Sequence, residues 1–193
     1  DYTWHFGDQT KKKSESPQHI YATGGMYKVQ FIVETDYGCI DSTSQMIEVY
    51  HNPIAKYDID TLQRCSPHCA VFIDQSKLAG EDELFHRWVF GQGSISNEAN
   101  PTFCYELEDG DGSEYYFTRL EVTTEHNCKD TFFYEDPVVV HANPIADFEI
   151  EIDEIELLDP VVYVNNTSVG GQYFTWNFGD SSEVYTMQPF QHS

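Results

Sequence analysis

An all-β fold, built as antiparallel sandwiches in tandem, is what this chain of 193 residues predicts, and three observations carry the prediction. The first is a phrase that occurs three times. Trp4-His5-Phe6-Gly7-Asp8, Trp88-Val89-Phe90-Gly91-Gln92 and Trp176-Asn177-Phe178-Gly179-Asp180 place their Trp residues 84 and then 88 apart. The second is that two other phrases return at nearly the same interval. Asn52-Pro53-Ile54-Ala55 comes back as Asn143-Pro144-Ile145-Ala146, 91 residues on, and Gly38-Cys39-Ile40-Asp41 is echoed 89 residues on by Asn127-Cys128-Lys129-Asp130. One shared period means an array of domains of about 90 residues each. The third is alternation of apolar and polar residues at period two, with no sustained helical stripe.

The elements follow in order. From Met26 to Glu34, Tyr27, Val29, Phe31 and Val33 fall on one face, and Lys28, Gln30 and Glu34 on the other; Ile32 is the exception. This is the pattern of a half-buried strand. Asp36-Tyr37-Gly38 turns the chain, and Ile40 to Tyr50 runs back, so a hairpin closes the unit. The equivalent stretch of the second unit sends Tyr116, Thr118, Leu120 and Val122 inward, with Arg119 and Glu121 outward. Ala70 to Ile73 and Leu84 to Phe90 read as two further strands of that unit. Asp147 to Ile152 and Pro160 to Val164 read as the first two of the third. Short strands at this density, divided by Gly, Asn and Asp turns, are the signature of an Ig-like sandwich. The phrase order places residues 1–51 as the closing two-thirds of one domain, 52–142 as a complete domain, and 143–193 as the opening half of a third. The chain therefore reads as a window on a longer protein.

Composition narrows the partners. Lys and Arg number 10 against 33 Asp and Glu, a formal net charge of −23. Nucleic acid and anionic lipid are poor partners for such a surface, and no apolar run is long enough to span a bilayer. The basic run Lys11-Lys12-Lys13 reads as a solvated loop tip. Acid excess keeps an extended chain soluble and discourages pairing between sheet edges. No Gly-x-Ser-x-Gly, His-Glu-x-x-His or phosphate loop is present, and no enzyme is expected.

Tyr2-Thr3-Trp4-His5-Phe6-Gly7-Asp8, then Pro17-Gln18-His19-Ile20-Tyr21, then Gly25-Met26-Tyr27-Lys28-Val29, together resemble the PKD (polycystic kidney disease) domain. Residues 176–180 open in the same way, with Pro189 and His192 following. The middle unit diverges, with Gln92 in place of Asp, Phe103 in place of His, and an inserted Asp109-Gly110-Asp111-Gly112. The resemblance implies PKD-type sandwiches in a rod-like array. The variant with Cys before the second strand and Gly-Cys-x-Asp in the last hairpin is similar to PKD repeats of large secreted proteins of Bacteroidota. Those include gliding and adhesion proteins exported by the type IX system.

Within that frame, Trp4, Phe6, Trp88, Phe90, Trp176 and Phe178 are expected as core aromatics, since residues two apart on a strand share a face. Stacking on carbohydrate is the sharper alternative for the Trp residues. Gly7-Asp8 and Gly179-Asp180 are expected to end the strand, with the Asp capping turn amides. Tyr27 and Tyr116 are expected as corner tyrosines, and His19 as a packed, hydrogen-bonded residue. His51 and His141 recur beside the linkers and suit a junction role.

The resemblance also implies a Cys65–Cys128 bridge, which leaves Cys69 and Cys104 as a second pair; by sequence alone, four Cys allow three pairings. Cys39 matches Cys128 in register, and its partner is expected outside these residues. Disulfides imply an oxidising, extracellular setting. The spacing of the Cys residues is poor for zinc.

Cofactors are expected to be none, with calcium as the possible exception at Asp109 and Asp111. Glu81, Asp82 and Glu83 form another acidic loop, but either loop alone falls short of six to eight oxygens. Ser42 and Thr61 lie in three-residue patterns similar to O-glycosylation sites of Bacteroidota. The expected function is a structural spacer of a cell-surface adhesin or appendage, with its neighbouring domains as the main partners and other surface proteins or glycans beyond them. A glycan- or protein-binding module and an accessory domain of a secreted hydrolase are the alternatives.

Overall fold

A computed structural model describes residues 1–80, 82–151 and 162–179, and the backbone of 183–186 and 191–192. Among the described residues every regular element is a strand. Glu81, Asp180, Pro160 and Pro189 lie outside the described residues, as does the side chain of His192.

The N-terminal region holds β1 (Tyr2–His5), β2 (Lys11–Lys12), β3 (Gly25–Glu34) and β4 (Ile40–Val49), joined as one antiparallel sheet in the order β2-β1-β3-β4. Trp4 lies opposite Phe31, and β3 pairs with β4 along its whole length, from Gly25 opposite Val49 to Glu34 opposite Ile40.

The central region contains β5 (Tyr57–Ile59), β6 (Gln63–Cys65), β7 (His68–Asp74), β8 (Leu84–Val89), β9 (Ile95–Ser96), β10 (Thr102–Tyr105), β11 (Ser113–Tyr116), β12 (Arg119–Thr124), β13 (Lys129–Phe133) and β14 (Val138–His141). The sheet β13-β12-β8-β9 repeats the N-terminal one strand for strand, with Trp88 opposite Leu120 as Trp4 is opposite Phe31. The ribbons β10-β7-β5 and β11-β14-β6 supply the other half of the sandwich. Between them lies a core of Tyr57, Phe72, Trp88, Phe90, Leu120, Val122, Val138 and Val140, and Trp88 is 0% exposed.

The C-terminal region begins the same plan. β15 (Phe148–Ile150) pairs with β16 (Val162–Asn166) as β5 pairs with β7, and β17 (Phe174–Asn177) pairs with β18 (Glu183–Thr186) as β8 pairs with β9; β19 (Gln191–His192) joins β16.

Three differences from expectation have physical causes. The inward alternation at Tyr116, Thr118, Leu120 and Val122 is present and all four are buried. The strand that carries it is broken, because β11 pairs with β14 in the opposite ribbon while β12 stays with β8. Its partner strand is likewise split into β13 and β14 around Glu135-Asp136-Pro137, and proline cannot donate to a ladder. The motif aromatics also differ in burial. Trp88 and Phe90 are sealed in the core, whereas Trp4 and Trp176 are only half-buried. For Trp4 the reason is that a single sheet, with no second one facing it among the described residues, makes up the N-terminal region.

The cysteines bring one confirmation and one correction. Cys69 and Cys104 lie opposite each other on β7 and β10 and form a disulfide. Cys65 and Cys128 are unbridged, as is Cys39. The expected Cys65–Cys128 bridge fails because the two sit at opposite ends of the sandwich. Cys65 is in register with His141 at the exit of the chain. Cys128 lies in the hairpin beside Asp130, whose carboxylate accepts the Ala55 N–H at the entry.

Candidate functional site

The recurring motif builds the same small structure in two regions. In the N-terminal region Phe6 stacks on His19 at 4.1 Å, the Tyr21 hydroxyl donates to the Phe6 carbonyl at 2.8 Å, and Tyr21 stacks on Tyr27 at 4.2 Å. In the central region Phe90 stacks on Phe103 at 4.3 Å, the Tyr105 hydroxyl donates to the Phe90 carbonyl at 3.1 Å, and Tyr105 stacks on Tyr116 at 4.5 Å. The Trp4 and Trp88 indole N–H groups donate to the Ser14 and Glu98 carbonyls. Both rings are thus tied to the loop that follows their strand, with Trp88 sealed in the core and Trp4 half-buried. Burial pushes the Tyr57 phenol up to about 12 and raises that of Tyr105.

Tyr27 acts as a corner tyrosine, donating to the Thr23 carbonyl at 2.8 Å. The hydroxyls of Tyr21 and Tyr105 do the same for the carbonyl of the motif Phe, a role not visible from the sequence motif alone. Recurrence of a Tyr 15 residues after Phe6 and again after Phe90 is the signal that could have found it.

Gly7 has φ +86°, and a Cβ there would lie 2.9 Å from the Lys28 backbone nitrogen, so the turn accepts only glycine. Asp8 then takes its expected role. One carboxylate oxygen accepts from the Thr10 hydroxyl and amide, and the other meets His19 Nε2 at 2.6 Å. The Thr10 hydroxyl, the Thr10 amide and His19 hold the Asp8 carboxyl down at about 2 against the opposing pull of desolvation. Gln92 has no such carboxylate, and the central region places a different pair, Asp74 and His86, at 2.9 Å. Burial raises the Asp74 carboxyl, but the Ser76 hydroxyl and amide, with His86, outweigh it and leave it below its ordinary value.

The Cys-x-Asp phrases mark one turn made twice. Thr35 and Thr124 N–H groups donate to the Cys39 and Cys128 carbonyls, and the Thr hydroxyls accept the Cys amides. Gly38 and Asn127 carry the positive φ that closes it. At its tip stand Tyr37, which is almost fully exposed, and His126, which is also exposed but has partners.

His126 belongs to the first of two crossings between regions. Its ring stacks on Tyr50, from the linker, at 3.5 Å and 12°. Its Nδ1 lies 3.4 Å from Asp82, and donor atoms of Asp82, Glu125 and His126 all lie within 4.8 Å of one another. His51 fills the adjoining gap, close enough that a Cβ on Gly24 would lie 2.6 Å from its ring. The chain then enters the central region by an Ile54–Lys77 bridge.

The second crossing is a backbone clamp. Asn143 Nδ2 donates to the Ser66 carbonyl at 2.8 Å and to Asp109 at 3.1 Å. The Gly110 amide donates to the Asn143 carbonyl, and the Ala142 amide to the Gly112 carbonyl. His141 Nδ1 meets the Ser113 hydroxyl at 2.6 Å. Gly170 packs so tightly that a Cβ there would lie 1.9 Å from the Gly110 carbonyl oxygen. An Ile145–Val169 bridge repeats the entry seen at Ile54.

The inserted Asp109-Gly110-Asp111-Gly112 is therefore a linker cradle. Asp109 and Asp111 join no group of three potential ligands among the described residues, and Asp109 already serves Asn143. Of the expected glycosylation positions, Ser42 is exposed on β4 and Thr61 is half-buried in the turn after β5.

Residues 1–49 match the PKD domain family. A solved structure, the PKD1 domain of Vibrio anguillarum Epp, is similar to this chain at 21% identity and a TM-score of 0.36, over 49% of this chain and 98% of that one.

Proposed function

We propose that this segment is a non-catalytic spacer, with PKD-like domains at 1–51, 52–142 and 143–193 holding other regions of an extracellular protein at a distance. The carrying observation is that both linkers are engaged by side chains and backbone of the regions they join, as a stiff spacer requires. The match to PKD domains over 1–49 and the Cys69–Cys104 disulfide support an extracellular module. Placement at the surface of a Bacteroidota cell, in a gliding or adhesion protein, is the finer form of the proposal. A ligand platform is less well supported, because the Trp88 ring is enclosed.

The test is replacement in the full-length protein by an unrelated rigid spacer of equal length. Retained attachment or assembly supports a spacer. Loss of ligand binding despite the matched length would identify a binding module instead.

A further inference from the structure

We propose that the outer face of the central sheet β13-β12-β8-β9 binds a carboxylated polysaccharide, a chain of uronic acids laid across its strands. Trp88, Leu120 and Val122 point into the core, so the alternate residues of those strands stand on the opposite side. They form rows in register. Phe85, Thr123 and Lys129 make the first, Arg87, Glu121 and Thr131 the second, and Ile95, Val89, Arg119 and Phe133 the third. Three of the chain's ten Lys and Arg residues thus share this face. Glu121 is its one carboxylate among the described residues, 4.0 Å from Arg87 and 3.7 Å from Lys129. The Arg119 guanidinium lies over the Phe133 ring, 6.0 Å from its centroid, and Phe133 is 63% exposed.

The fold does not demand this combination. The N-terminal sheet repeats the central one strand for strand, yet Thr3, Gln30, Ile40 and Ser44 stand where Arg87, Arg119, Lys129 and Phe133 do. Size and charge select the occupant. With strands about 4.8 Å apart and a rise of about 3.3 Å per residue, the face measures roughly 20 Å by 15 Å. That is well below the roughly 800 Å² per partner of a stable protein interface, and it suits a few sugar rings. The net charge of −23 disfavours a dense polyanion such as nucleic acid, with one charge per about 1.7 Å. A uronic-acid chain carries only one carboxylate per ring, and exposed charges more than about 8 Å away are largely screened at physiological salt. A guanidinium fork takes a carboxylate by two parallel hydrogen bonds. The stack on Phe133 holds the Arg119 fork at the surface, and the exposed part of that ring suits the apolar C–H face of a sugar. This contact adds to a spacer and does not depend on that reading.

Titration of the whole chain with a short oligogalacturonate, followed by amide chemical shifts, tests the face. Shifts are expected on β8, β12 and β13, weakening with added salt, and none with a neutral maltooligosaccharide of equal length. Arg87→Gln and Arg119→Gln are each expected to raise Kd roughly three- to fivefold, the size of one exposed charge contact. Changing Lys11, Lys12 and Lys13 together to Gln removes more charge elsewhere and is expected to leave Kd unaltered. No shift with oligogalacturonate, equal shifts with the neutral sugar, or a weakening by the triple Lys variant as large as that of Arg119→Gln would overturn the proposal. So would a polyglutamate peptide or a sulfated oligosaccharide that binds at least as tightly, since the face would then belong to an acidic protein or a denser polyanion.

Discussion

The chain crosses from one set of sheets to the next twice, at Tyr50-His51-Asn52 and at His141-Ala142-Asn143, and the two crossings are held by different chemistry. The first relies on side chains: a Tyr–His stack, a facing carboxylate and a His ring filling the gap beside Gly24. The second relies on main chain: amides of Gly110 and Ala142, the Asn143 amide group and a Gly-to-Gly approach. Side-chain contacts at a surface are weak and sensitive to charge and salt. Backbone bonds are set by geometry and indifferent to pH. The same phrase, Asn-Pro-Ile-Ala, thus enters two junctions held by different groups, and the difference comes from the loops that receive it.

The largest expected effect falls on the body that carries both crossings. Reducing Cys69–Cys104, which closes a separation of 35 residues, should remove roughly 4 kcal/mol from the central region. Thermal melts with and without reductant would show it, and both crossings should loosen together. Next comes Gly170→Ala. At φ +77° a side chain costs roughly 1–2 kcal/mol, and the facing Gly110 carbonyl has to move. Hydrogen exchange at the Gly110 amide should accelerate, with no change at Tyr50.

Asn143→Ala removes two hydrogen bonds from the second crossing, for roughly 1–3 kcal/mol. Limited proteolysis near residues 142–146 should quicken, whereas Asn52→Ala should leave the first linker unaltered. Tyr50→Ala should cost the first crossing roughly 0.5–1.5 kcal/mol. The His126 ring resonances should then move toward those of an unstacked imidazole, and an unshifted spectrum would mean the stack is not populated.

The smallest effect isolates the N-terminal sheet from the crossing that follows it. The Asp8 carboxyl titrates at about 2, below its ordinary value of about 3.9. A depressed carboxylate stabilises the folded form fully above the ordinary value, and that support is lost as pH falls toward the folded one. Acid titration from about pH 5 down to pH 2, followed by Trp4 fluorescence, should therefore show a loss in wild type that Asp8→Asn no longer shows.

Much of this architecture was legible in the sequence because it rests on local periodicity. Alternation at 116–122 located the buried face, and the repeated Trp-x-Phe-Gly located the strand that carries the core indole. The crossings were less legible. The carboxylates of Asp109-Gly110-Asp111-Gly112 are visible in the sequence, but the direction of its glycine amide and carbonyl groups, which meet the second linker, is not. The Cys65–Cys128 pairing failed for a related reason. Register along the chain does not reveal that one residue stands at the entry of a sandwich and the other at its exit. His51 and His141 are packed where the chain crosses between sheets, but the partner of the first linker, His126, belongs to a hairpin 75 residues further on.

β6 and β14 lie parallel, with Gln63, Arg64 and Cys65 beside Val139, Val140 and His141. One follows the entry to the central sandwich and the other precedes its exit. Tension along the chain would draw them in opposite directions on a common axis. Evenly spaced bonds in parallel register then bear the load at the same time instead of opening one after another from an end. In the proposed spacer, the strand pair that joins the opening of the domain to its close would be loaded in shear, not peeled from one end.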